Sequence, residues 1–236
     1  MSWTTMPVVA LDFPSTRDAL ALVDRLGDRC TMYKVGNELF TSAGPSIMEE
    51  LRRRERSIFL DLKFHDIPNT VAGGVKAAKA MGATLITVHA SGGSAMLRAA
   101  VDACGDQSGG GILGVTVLTS LTGGELAEAW GREALDPMEE VLRLAALVER
   151  AGAHGIVCSG LEAAGVRKRF GDGLNLLVPG VRPAGEATQD QARVVTPGEA
   201  VRAGARYVVI GRAVTKAADP SAAMDRISSE IAMAGP

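Results

Sequence analysis

The stretch Ser57-Ile58-Phe59-Leu60-Asp61-Leu62-Lys63-Phe64 decides the fold. It is apolar almost throughout, and near its carboxyl end it carries two opposite charges two residues apart. A short, nearly continuous apolar run reads as a strand covered on both faces, as in a parallel sheet. Runs of the same kind recur on either side. Before it lie PVVALDF (7–13) and CTMYKVG (30–36); after it come TLITVHAS (84–91), GILGVTVLTS (111–120), GIVCSG (155–160), NLLVPGV (175–181) and YVVIGRA (207–213). Helix-period segments fill the gaps. Ser15 and Asp18 resemble a capping box ahead of Ala19-Leu20-Ala21-Leu22-Val23, which Gly27 ends, and Asp136-Pro137 opens a helix that Gly152 stops. Three helix-to-strand joints share one pattern: Met81-Gly82-Ala83, Ala151-Gly152-Ala153 and Ala203-Gly204-Ala205.

Strands alternating with helices over one domain's length predict a single-domain (β/α)8 TIM barrel spanning residues 1–236. An open doubly wound sheet is the alternative, but Asp12-Phe13-Pro14-Ser15 stands where its glycine-rich turn belongs. Two connections are longer than the repeat requires, 121–136 and 182–195, and are expected to be active-site loops. Gly123-Gly124 predicts mobility in the first.

Composition narrows the function. Lys plus Arg number 25 and Asp plus Glu 27, a net charge of -2, which gives no broad pull toward nucleic acid or an anionic membrane. Aromatic residues make up 4%, too few for a base-stacking platform. The segment Met1–Pro7 has neither the basic nor the apolar region of a signal peptide, and no apolar run nears the ~18 residues of a membrane span, so a cytoplasmic protein is expected. Cys30, Cys104 and Cys158 are widely spaced without a CxxC, and the first and last read as buried small hydrophobes.

In a barrel, catalytic residues sit at the carboxyl ends of strands, and polar residues collect there. The first strand ends in Asp12, the second offers Lys34, the third Asp61 and Lys63 with Asp66 beyond. The fourth ends in His89, the fifth in Thr119-Ser120, the seventh in Gly180 and Arg182, the eighth in Gly211-Arg212. Residues i and i+2 share a strand face, so Asp61 and Lys63 are expected to point together into the mouth. An ion pair tying the barrel top is the plain reading of that pair. The functional reading is a lysine ammonium held between carboxylates as a general acid, extended by Lys34 and Asp12 into an alternating array. After the last two strands, glycines and arginines suit a phosphate, with Gln191 on the 182–195 loop placed to close over it. His65 and His89 could approach the mouth but lack metal-ligand spacing, and His154, opening a strand at the opposite end, reads as structural; no metal is expected.

These residues resemble the orotidine 5′-phosphate decarboxylase family. The match runs from Val9-Ala10-Leu11-Asp12 through Lys34-Val35-Gly36 to Gly211-Arg212-Ala213-Val214-Thr215-Lys216. Its most specific part is Asp61-Leu62-Lys63-Phe64-His65-Asp66-Ile67-Pro68-Asn69-Thr70, the family's DxKxxDIxxT signature. Leu118-Thr119-Ser120, Pro179-Gly180-Val181-Arg182 and Asp190-Gln191-Ala192-Arg193-Val194 follow in order. The resemblance implies decarboxylation of orotidine 5′-phosphate to UMP and CO2 without metal or organic cofactor. Lys63 would donate a proton to C6 of the pyrimidine, flanked by Asp61 and Asp66, with Lys34 completing the network. Asp12 would bind a ribose hydroxyl, Thr119 or Ser120 the base, and Arg182, Gln191, Gly211 and Arg212 the 5′-phosphate. It also implies a homodimer in which Asp66, Ile67 and Thr70 reach the partner's site. The rivals are a Mg²⁺-dependent phosphosugar decarboxylase or aldolase of the same barrel group, a Schiff-base aldolase using Lys63, and a catalytically silent phosphate-binding barrel.

Overall fold

The computed structural model describes residues 4–183 and 195–235. Eight parallel strands close into a barrel in sequence order: β1 (Met6–Ala10), β2 (Met32–Gly36), β3 (Ser57–Phe64), β4 (Ala83–His89), β5 (Ile112–Val115), β6 (Gly155–Val157), β7 (Asn175–Val178) and β8 (Tyr207–Ile210). Closure is made by β1 against β8, with Met6 opposite Tyr207 and Val8 opposite Val209. The alternative of an open sheet is thereby removed. Several of the apolar runs extend beyond their strands, because the barrel ladder ends where the chain turns over the rim.

The outer helices are α1 (Thr16–Leu26), α2 (Asn37–Ala43), α3 (Ser46–Arg53), α4 (Pro68–Ala80), α5 (Gly93–Cys104), α6 (Gly123–Ala129), α7 (Pro137–Arg150), α8 (Gly160–Phe170), α9 (Pro197–Arg202), α10 (Arg212–Thr215) and α11 (Pro220–Ala234). Their ends follow local chemistry. In α1 the Ser15 hydroxyl accepts from the Asp18 N–H, and Ala19, Leu22, Val23 and Leu26 form the buried stripe at helical spacing. Asp136 caps α7 through the Met138 N–H, with Pro137 in its first turn. Gly82, Gly152 and Gly204 turn the chain from helix to strand at φ of 89°, 74° and 89°, a backbone region that a side chain disfavours. That shared geometry accounts for the repeated joint in the sequence.

The connection 121–136 contains a short helix. Residues Gly123–Ala129 form α6, because Thr122 and Glu125 make a reciprocal capping box and Leu126 and Ala127 are buried. Most of the 182–195 connection, Gln191 included, lies outside the described residues. Among those described, no helix is long and apolar enough to cross a membrane.

Two buried layers follow from strand alternation. Val8, Ala10, Met32, Phe59, Leu85, Leu113, Leu177, Tyr207 and Val209 fill the barrel. Their neighbours, among them Val9, Tyr33, Leu60, Ile86 and Val208, pack outward against the helices. Cys30, Cys104 and Cys158 are free thiols inside the protein. Burial pushes all three thiols up, so they act as small apolar groups.

His154 lies just before β6, at the amino-terminal end of the barrel, with Nε2 3.0 Å from the Tyr207 hydroxyl. Burial lowers its pKa from the ordinary 6.5, with Arg206 adding to the effect, and burial also lowers that of His89. Both imidazoles therefore resist protonation in the folded chain and accept it on unfolding. Their contribution to stability is present above about pH 6.5 and is lost as pH falls through the depressed folded values. The melting temperature is expected to drop between pH 7.5 and 5.5, by about 2–4 °C per kcal/mol lost. Calorimetry of His154→Gln over that window should give a shallower slope than the parent.

Candidate active site

The inward parity of β1 carries from Val8 and Ala10 to Asp12, two residues beyond the strand. On β2 the same face continues from Met32 to Lys34, and Ala10 stands opposite Lys34 in register. Lys34 Nζ donates to Asp12 Oδ1 at 2.9 Å and lies 3.8 Å from Asp61 Oδ2. Gly36 completes this face. A Cβ there would come 2.9 Å from Lys34 Nζ and 3.4 Å from Asp12 Oδ1, so the missing side chain gives the pair its room.

On β3, Asp61 follows Phe59 inward, and Lys63 Nζ donates to both of its carboxylate oxygens at 3.0 Å. The expected meeting of Asp61 and Lys63 occurs, but not through regular alternation. Lys63 adopts φ 51°, and the β3–β4 register shifts between Leu60 and Phe64. The bulge re-aims the lysine. Asp12, Lys34, Asp61 and Lys63 thus form a continuous array of alternating sign, with Lys34 and Asp61 side chains only 14% and 12% exposed and Lys63 at 32%. A charge contact of about 4 Å is worth roughly 1 kcal/mol in water and about 4 at an effective dielectric of 20. Desolvation offsets much of that attraction, so the array orders these charges more than it stabilises the fold.

The array lies along a cavity of about 560 Å³ at the carboxyl end of the barrel, within the range of small-molecule sites. The cavity is lined by Asp12, Lys34, Asp61 and Lys63, and also by Thr119, Ser120, Gly180, Arg182, Gly211 and Arg212. Thr119 and Ser120 lie beyond the end of β5, and Gly180 and Arg182 beyond β7; Gly211 and Arg212 lead into α10. One pocket therefore brings together an ammonium that can deliver a proton and two arginines suited to a dianion.

Asp66, Ile67 and Thr70 are not among the lining residues. All three are exposed, and Asp66 Oδ1 accepts from the Ile67 N–H at 2.6 Å. Within one chain, then, Asp66 does not join the array. His65 and His89 stand with ring centroids 5.3 Å apart at the rim. No group of three or more His, Cys, Asp or Glu side chains among the described residues is placed to hold a metal ion. Two features escaped the sequence reading. Lys216 also lines the cavity, and Thr87, fully buried beneath it, hydrogen-bonds both Asp61 and the Lys63 backbone. Thr87 shares the inward parity of His89, but a threonine within a strand carries no signal of its own.

The family model described as Orotidine 5'-phosphate decarboxylase / HUMPS family matches residues 5–227. The chain is 50% identical over 229 residues to a protein of Halorhodospira halophila named orotidine 5′-phosphate decarboxylase, covering 97% of this chain and 96% of that one. It is 49% identical over 226 residues to a Pseudomonas aeruginosa protein of the same name, covering 95% and 96%. Among solved structures, orotidine 5′-phosphate decarboxylase from Lactobacillus acidophilus superposes with a TM-score of 0.84 at 38% identity, covering 97% of this chain and 99% of that one. Such agreement, nearly end to end in sequence and in the closed barrel, means that this chain belongs to the orotidine 5′-phosphate decarboxylase / HUMPS family.

Proposed function

We propose that the protein is a cytoplasmic, cofactor-independent carboxy-lyase that converts orotidine 5′-phosphate to UMP and CO2, the step that completes de novo UMP synthesis. The observation that carries this reading is the Asp12–Lys34–Asp61–Lys63 array facing a cavity that Arg182 and Arg212 also line. Relatives of that name at about half identity support it.

The C6–carboxylate bond breaks, CO2 departs, and the electron pair stays on C6 as a vinyl carbanion that the ring delocalises poorly. With no electron sink of the PLP kind, stabilisation falls to a fixed charge near the developing anion. Lys63 is that charge, and its ammonium then gives a proton to C6 and recovers one from solvent. Asp61 orients Lys63, and Lys34 bridges Asp61 to Asp12, which binds a ribose hydroxyl. Thr119 and Ser120 contact the base. Arg182, Gly211 and Arg212 hold the phosphate together with Gln191. Residues 1–236 act as one catalytic domain, with the 121–136 and 182–195 connections as active-site loops.

The enzyme works as a homodimer in which Asp66, Ile67 and Thr70 enter the partner's site. Supporting this, Ile67 is 67% exposed, an unusual position for a large aliphatic side chain, and Asp66 stands away from its own chain's cavity.

Purified protein with orotidine 5′-phosphate and EDTA is expected to show loss of the orotate absorbance at an undiminished rate. Turnover abolished by EDTA, or turnover of sugar phosphates with Mg²⁺ in its place, would transfer the protein to the phosphosugar reading. Tight UMP binding without turnover would make it a silent barrel.

A further inference from the structure

We infer that Thr87 is a positioning residue that sets the Asp61–Lys63 pair, an assignment that rests on the decarboxylase reading. Thr87 lies on β4 one layer below the cavity, fully buried, and does not touch the cavity itself. Its hydroxyl is shared between two groups of the charged array. The Lys63 backbone N–H donates to Thr87 Oγ1 at 2.9 Å, and Thr87 Oγ1 donates to Asp61 Oδ1 at 3.0 Å. The directions are forced, since an N–H only donates and a carboxylate only accepts. The single hydroxyl proton is thereby committed to Asp61.

The register explains why this residue is needed. Leu60 pairs with Ile86 and Phe64 with Val88, so β3 spends four residues where β4 spends two. Thr87 sits between those two pairings, opposite the bulge. Lys63 there has φ 51°, a left-handed conformation uncommon for a residue with a Cβ and one that persists only when its surroundings hold it. The hydroxyl takes the N–H that the interrupted ladder leaves over. It therefore fixes the lysine backbone and the carboxylate that receives the lysine head, setting where Nζ stands in the cavity.

Displacing a reacting group by about 1 Å can lower a rate by up to about 100-fold. Thr87→Val removes the hydroxyl at nearly constant shape. It is expected to lower kcat for orotidine 5′-phosphate by about 10- to 100-fold, with KM and the inhibition constant of UMP within about threefold of the parent. Thr87→Ser, which restores the hydroxyl, is expected to return kcat to within about threefold. A threonine that merely fills space would not produce that split, nor rescue by serine. Should Thr87→Val fail to fold, Thr87→Ala is read in the same assays with the same expectation. A hydroxyl-free variant with kcat within about threefold of the parent, or equal losses in the serine and hydroxyl-free variants, would overturn the role of Thr87. A parent protein inactive on orotidine 5′-phosphate would instead overturn the decarboxylase reading beneath it.

Discussion

Lys63→Ala is expected to abolish turnover of orotidine 5′-phosphate while leaving a folded barrel. On the proposed mechanism two contributions vanish together. One is the proton delivered to C6, typically worth about 10²–10⁴-fold. The other is a fixed positive charge beside the carbanion, for which removal of a single preorganised donor costs about 10²–10³-fold. The combined loss in kcat should be on the order of 10⁴-fold or more. Folding survives because Lys63 is about one-third exposed at the rim, while Asp61 keeps the Thr87 hydroxyl at 3.0 Å and Lys34 at 3.8 Å. The backbone conformation at φ 51° is no harder for alanine than for lysine. Steady-state assays paired with thermal melts separate chemistry from stability. A folded Lys63→Ala protein retaining a tenth of the parent kcat would remove Lys63 as the proton donor and return the pair to an ion-pair tie across the barrel top.

Arg212→Ala should have an effect that depends on the substrate. Arg212 begins α10 just after β8 and, with Arg182, lines the same cavity as the lysines. A guanidinium binds a phosphate dianion through charge-assisted hydrogen bonds, each contributing about 1.5–3 kcal/mol. Losing two such bonds corresponds to roughly 10²–10³-fold or more in kcat/KM for orotidine 5′-phosphate. The phosphate-free nucleoside orotidine makes none of these bonds, and its already slow decarboxylation should change by no more than about threefold. The phosphate of orotidine 5′-phosphate is remote from the breaking bond along the substrate, so on the proposed reading its binding energy serves catalysis by holding the pyrimidine in a water-poor site. Comparing kcat/KM for the two substrates in parent and variant isolates this role. Equal losses on both substrates would refute phosphate gripping by Arg212.

Most of the cavity lining can be read from the sequence. Asp12, Lys34 and Asp61 lie on inward positions that strand parity predicts, and each reaches the cavity. Gly211 and Arg212 follow β8 directly, so their place at the rim also follows from the strand. Lys63 reaches the cavity for a different reason from the expected one, because the β3 bulge breaks the parity that put it there. Asp66 is close to Lys63 in sequence yet exposed and outside the chain's own cavity. Proximity along the chain does not survive the turn into α4. The short helix within the connection 121–136 rests on a capping box and two buried side chains, a signal that its glycine pair obscures.

The alternation of strands and helices, their caps and joints, and the charged residues at the barrel rim are all legible along the chain. Those properties are local: burial on both faces makes a strand apolar, and a side-chain oxygen caps a helix within three residues. Tertiary structure alone decided closure of β1 on β8, the Lys63 bulge, and the use of Thr87 to hold Asp61 and the Lys63 backbone together. Each depends on register between strands, and the hydrogen bonds that set register join residues far apart in the chain.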